Sequence, residues 1–150
     1  MKRVLALTVA AMIATSGAGL ALAYQPGTYK SGPQSGFKAP GIRVEIKEGS
    51  FSVGRILMHE TCRAPGHRAF HDFGGFQAGS SASLTGSISA HGKLAGIFHD
   101  GAGGYTKVSG HIRGGHLTVI GAEFTASYTP PHSTVAYSCH AAGTFHPKRQ

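Results

Sequence analysis

The chain has 150 residues, 23 of them glycine and none tryptophan, and its 14 Lys and Arg against 6 Asp and Glu give a formal charge of +8 with ten histidines counted as neutral. That length holds one domain and hardly two. With 41% hydrophobic and only 13% charged residues it is too apolar for a disordered chain, and its glycines lack the three-residue period of collagen.

Lys2 and Arg3 precede an apolar run from Val4 to Ala14, and Ala21-Leu22-Ala23 is a small-x-small cleavage signal. This is the layout of a signal peptide over residues 1–23, with Tyr24 as the mature N-terminus. The apolar run is short for a bilayer span, and no cysteine follows the cleavage signal to carry a lipid. The expected product is secreted or extracytoplasmic, with no transmembrane segment in the mature chain. Two cysteines remain in it, Cys62 and Cys139. An even pair in an exported chain reads as one disulfide, and a free nucleophilic Cys62 beside His59 does not suit an oxidising compartment.

Residues 24–41 read as a Gly/Pro/Ser-rich arm, with Tyr29 and Phe37 as points of attachment. A single β-domain is expected over 42–146, followed by a tail at 147–150. Its first strand runs from Ile42 to Lys47, where Ile42, Val44 and Ile46 alternate with Arg43, Glu45 and Lys47. A second starts at Gly49 and changes parity near Gly54-Arg55, a bulge signal. Shorter strands follow over 69–76 and 83–90, and Gly92-Lys93 turns into Leu94 to His99. Tyr105 to Arg113 and His116 to Tyr128 flank Gly114-Gly115, a two-residue hairpin loop; a second bulge is expected at Gly121. The last strand places Val135, Tyr137, Cys139, Ala141 and Phe145 on one face. About eight or nine strands with turn signals every 8–12 residues predict an all-β fold, an antiparallel β-sandwich or flattened β-barrel with one disulfide. The expected core is Ile42, Val44, Ile46, Phe51, Val53, Ile56, Leu84, Ile88, Val108, Ile112, Val135 and Tyr137. The opposite faces carry Ser, Thr, His, Lys and Arg, which excludes a lipid-facing barrel.

Three short motifs sit on this layout: Gly27-Thr28-Tyr29-Lys30-Ser31-Gly32, Ile88-Ser89-Ala90-His91-Gly92-Lys93-Leu94, and Cys139-His140-Ala141-Ala142-Gly143-Thr144-Phe145. Together with the signal peptide and the two cysteines, they make the chain similar to small secreted bacterial β-domains of uncharacterised function. The resemblance implies the fold and the compartment and carries no catalytic residues with it.

The ten histidines are the compositional anomaly. Imidazole is the commonest metal ligand, and Zn²⁺ or Cu²⁺ needs three or four donors converging on the ion. The first reading is that histidine replaces other polar residues on solvent faces. If a metal site forms, His59, His67 and His71 around Cys62 are the expected set. His59-Glu60 and His71-Asp72 are not dyads on strands, because neighbours there point to opposite faces; only in a loop do His99 and Asp100 meet. No Gly-x-Ser-x-Gly elbow is present, and Asp100-Gly101-Ala102-Gly103-Gly104 lacks what a phosphate loop or calcium cage needs. The cations are spread along the chain with no dense run, so no nucleic-acid motif is predicted. The charge reads first as generally solubilising; if one basic edge forms for an anionic cell-wall polymer or glycan, Arg55, Arg63 and Arg68 are its expected members. The sequence therefore reads as a secreted, non-enzymatic binding module without a cofactor. Extracellular Zn or Cu binding through histidine is the alternative, and a small hydrolase of unlocated site a further one.

Overall fold

A computed structural model describes residues 24–36 and 39–150. The signal peptide, the attachment through Phe37 and the charge of Lys38 lie outside these residues. Ten strands follow one another: β1 (Gly27–Ser31), β2 (Gly41–Lys47), β3 (Ser50–Arg63), β4 (Phe70–Gln77), β5 (Leu84–Ser87), β6 (Lys93–His99), β7 (Tyr105–Arg113), β8 (His116–Tyr128), β9 (Tyr137–Phe145) and β10 (Lys148–Arg149). All pair antiparallel in one sheet of order β10-β1-β2-β3-β9-β8-β7-β6, with β4 and β5 also pairing β3. The all-β, antiparallel, disulfide-bonded fold is thus the expected one. The sheet is not closed: β5 runs on into β6 through the single bridge Ile88↔Leu94.

The long β3 makes this arrangement. Its first half, from Ser50 to Leu57, pairs β2, and its last residues, Thr61 to Arg63, pair β9. Along its other side lie β5 at Ser50–Val53 and β4 at Arg55–Cys62. One strand therefore belongs to both halves of the sheet, and the inner faces meet in one core that includes Tyr29, Ile42 and Val44 from one half and Val108, Leu117 and Ile120 from the other. Each such aliphatic side chain contributes about 1.5–3 kcal/mol when fully buried. The outward face of each half is turned away from this common core.

Local chemistry explains the register. Val44 pairs Val53 and Arg43 pairs Arg55, so Gly54 is the extra residue of a bulge, as its parity change predicts. Gly114 and Gly115 both have positive φ, 54° and 83°, the conformation a two-residue hairpin turn requires. The second bulge differs from expectation. His111 pairs Val119 and Ile112 pairs Leu117, which makes Thr118 the extra residue, while Gly121 pairs Ser109 in regular register. Leu117 and Ile120 are both buried three positions apart, and alternation cannot bury both without an inserted residue.

Ten of the twelve expected core side chains are buried. Val135 and Tyr137 are only half-buried. The Pro130-Pro131 turn, with His132 at φ 63°, delays the last strand until Tyr137. Tyr137 then lies where the sheet opens, edge-on to Phe70 at 5.0 Å between ring centroids. Two segments expected to be irregular are strands. The arm contains β1, paired on both sides to β2 and β10, and the tail supplies β10.

Candidate functional site

On β1 and β2, burial of Tyr29, Ile42, Val44 and Ile46 turns the alternate residues outward. The register then sets four cations directly across from one another: Lys148 opposite Lys30, Lys30 opposite Arg43, and Arg43 opposite Arg55. Arg55 joins the outward face because Gly54 and Arg55 both fall between the buried Val53 and Ile56. At the usual strand spacing the row crosses about 14 Å of sheet. Like charges directly opposite destabilise a pair of strands, so this row opposes its own fold. Among the described residues the ion pairs are Lys47–Glu45 at 3.6 Å and His140–Glu123 at 3.7 Å, and neither involves the row. Arg55 donates to the carbonyl of Gly36, and Arg43 lies over Gly54, where a Cβ would stand 2.7 Å from its Nε.

Beside the row is a cleft of about 270 Å³ lined by Thr28, Lys30, Arg43, Glu45, Ser52 and Gly54. Thr28 and Ser52 flank Glu45 on the neighbouring cross-strand row, and Glu45 is engaged by Lys47. The cleft thus offers hydroxyl donors and two cations, with its single carboxylate already paired. Hydroxyl and cationic donors are the groups from which negatively charged oxygens accept hydrogen bonds.

The expected basic edge of Arg55, Arg63 and Arg68 does not assemble. β3 carries Arg55 and Arg63 eight residues apart, about 26 Å of extended strand, and Arg68 lies exposed in the β3–β4 loop. The expected histidine set is dispersed as well. The His59 ring lies 4.3 Å from that of Phe73, His71 Nδ1 is 3.1 Å from Thr61 Oγ1, and His67 meets the edge of Tyr137 at 6.2 Å. Among the described residues, the one group with three potential donors within 4.8 Å is Glu60, Cys62 and Cys139, and its sulfurs are bonded to each other.

The Cys62–Cys139 disulfide joins residues directly paired between β3 and β9, with both side chains buried. A formed disulfide belongs to an oxidising compartment. No helix among the described residues is long and apolar enough to cross a membrane.

Glu60 faces inward beside this disulfide, opposite Asp72. Burial first and the Asp72 charge second raise its pKa above the usual carboxylate range. A raised pKa means the folded chain holds this proton after the unfolded chain has released it. Stability from this group is therefore complete below the ordinary carboxylate pKa and is lost as pH rises through the folded value. Glu60→Gln is expected to melt higher than the parent at pH 7 and alongside it at pH 3.5. Equal melting temperatures at both values would contradict the assignment.

Sequence reasoning missed a second polar cluster, on the outward face of β7, β8 and β9. Tyr105 donates a 2.6 Å hydrogen bond to Glu123 Oε1, and His140 Nε2 stands 3.7 Å from the same oxygen. The Tyr105 hydroxyl chiefly, with the charges of His140 and Lys107, lowers the Glu123 pKa, and the same hydrogen bond raises that of Tyr105. The carboxylate stays ionised and the phenol protonated, the reverse of what proton transfer between them needs. These residues lie far apart in the chain and meet only through strand register. The dyads behave as alternation requires: His59 and Glu60 face opposite ways, and Asp100 Oδ1 instead accepts from the backbone N–H groups of Ala102 and Gly104 at 2.8 Å each.

No family model matches the chain, and neither a curated protein nor a solved structure does.

Proposed function

We propose that the chain is a secreted, non-enzymatic binding module whose ligand is an anionic polysaccharide at or beyond the cell surface. The observation that carries this reading is the row Lys148, Lys30, Arg43 and Arg55, four directly opposed cations with no carboxylate partner among the described residues. A fold that keeps such a row pays a stability cost that a bound polyanion reverses. The disulfide and the basic-then-apolar N-terminal sequence support export. The row is flanked by Thr28, Glu45 and Ser52, not by aromatic rings, whereas single-stranded nucleic acid is held by stacking as well as charge.

Dextran sulfate, with neutral dextran as control, tests this at pH 7.5. The triple variant Lys30→Ala/Arg43→Ala/Lys148→Ala is expected to bind dextran sulfate at least about tenfold more weakly at low salt and with a shallower salt dependence. It should melt no lower than the parent, because it loses like-charge repulsion. Unchanged affinity in this variant, or equal binding to neutral dextran, would sink the reading. Tighter binding to an oligodeoxynucleotide than to dextran sulfate would replace the polysaccharide with nucleic acid.

A further inference from the structure

The other outward face, that of β6–β9, carries four of the ten histidines and is crossed by regular cross-strand rows. Lys93 pairs His111 and His111 pairs Val119; Ala95, Ser109, Gly121 and Thr144 form the next row. Ile97, Lys107, Glu123 and Ala142 follow, and then His99, Tyr105, Thr125 and His140. The small residues of the second row leave a trough. Clefts of about 470 and 540 Å³ lie along it and share Ser109. Exposed Ile97 and Val119 flank it with apolar surface.

We propose that this face is a second site for anionic polysaccharide, one charged by protons, so that the protein joins two polymer chains in mildly acidic surroundings. The inference rests on the reading of the chain as a polyanion binder. Three fixed cations, Lys93, Lys107 and Arg113, stand here against one carboxylate, Glu123, leaving two net positive charges while the imidazoles are neutral. Four imidazolium ions at His99, His111, His116 and His140 raise that to six. Histidine is the side chain that gains its charge within the range of pH 8 to 5.

Of the four histidines, His140 alone stands within 4.0 Å of a carboxylate among the described residues, that of Glu123. His111 Nε2 lies 3.0 Å from the carbonyl oxygen of His91, and His111 is paired with Lys93 and Val119. His116 pairs Arg113 across the hairpin. His99 faces Tyr105, and the neighbouring Asp100 is held by two backbone N–H groups of its own turn. His140 faces Glu123 from β8, and from β3 and β4 it faces Thr61 and the His71 bonded to it. His146 is exposed just beyond the end of β9. Glu123 is shared among Tyr105, His140 and Lys107, so further positive charge on this face has no second acid to neutralise it. The Lys30–Arg43 row and this trough lie on the outward faces of different strands around one common core, which gives one molecule two separate polymer sites.

Dextran sulfate serves as the probe because its sulfate charge does not change between pH 7.5 and 5.5. With the full disulfide-bonded chain, affinity is expected to rise at least tenfold from pH 7.5 to 5.5, and light scattering to report joined polymer chains only at the lower pH. The variant His99→Gln/His111→Gln/His116→Gln/His140→Gln should lose that rise and the scattering while keeping its pH 7.5 affinity within twofold. The pair His67→Gln/His132→Gln, in loops outside these four strands, should lose neither. A rise that survives the fourfold variant, or that the loop pair also abolishes, overturns the proposal. Binding at pH 7.5 without any rise overturns this proposal alone, whereas no binding by the parent at either pH overturns the polyanion reading beneath it. An acid-dependent gain seen with anionic phospholipid vesicles and not with dextran sulfate overturns the choice of polysaccharide.

Discussion

Replacing Cys62 and Cys139 together by alanine is expected to lower stability by about 4 kcal/mol, measured by urea denaturation at equilibrium. The bond spans 77 positions, and the chain-entropy relation for a closed loop of that length gives about 4.5 kcal/mol. Its place in the sheet argues for most of that value. β9 and β3 pair through Thr61↔His140, Cys62↔Cys139 and Arg63↔Ser138 alone, yet this joint carries β8, β7 and β6 onto the half built by β1, β2 and β3. The disulfide lies in the middle of those three pairs, with its side chains at 0% and 1% exposure. Reduction should need opening of the joint, so the native protein should resist thiol reagents until denaturant is added. A loss below about 1 kcal/mol would mean that core packing alone joins the halves.

Tyr29→Ala is expected to cost about 3–5 kcal/mol, the range for truncating a large buried aromatic. Tyr29 is 1% exposed, packs in the common core from β1, and donates a 2.9 Å hydrogen bond to the carbonyl oxygen of Gln25. Tyr29→Phe keeps the ring and should lose only about 1 kcal/mol, the typical net worth of one hydrogen bond. The pair separates packing from the hydroxyl. If Tyr29→Ala unfolds at the same denaturant concentration as the parent, β1 does not belong to the core.

The parts of this fold legible from sequence are those set by neighbouring residues. Alternation from Ile42 to Lys47 marks β2, Gly54 marks the bulge in β3, and Gly114-Gly115 marks the β7–β8 hairpin with both flanking strands at their observed bounds. The two cysteines announce their own bond. β1 was hidden because its five residues begin at Gly27 and run into Gly32-Pro33, which read as turn chemistry, and β10 because two residues carry no period. The candidate site was illegible for a related reason. Lys30, Arg43, Arg55 and Lys148 come from four strands spread over most of the chain, and only register sets them opposite one another. Sequence proximity instead grouped Arg55 with Arg63 and Arg68, which β3 holds apart. Likewise His59, His67 and His71 are near in sequence but lie on β3, in the β3–β4 loop and on β4, while His99, Tyr105, Thr125 and His140 share one row.

The most direct test of the central claim is a map of contacts on the protein itself, from backbone amide shifts as a sulfated dextran oligomer is titrated at pH 7.5. The row and its cleft account for the ligand if the largest changes fall on Thr28, Lys30, Arg43, Ser52, Gly54 and Lys148, and if neutral dextran leaves those amides in place. Shifts centred elsewhere, or none at saturating oligomer, would contradict it.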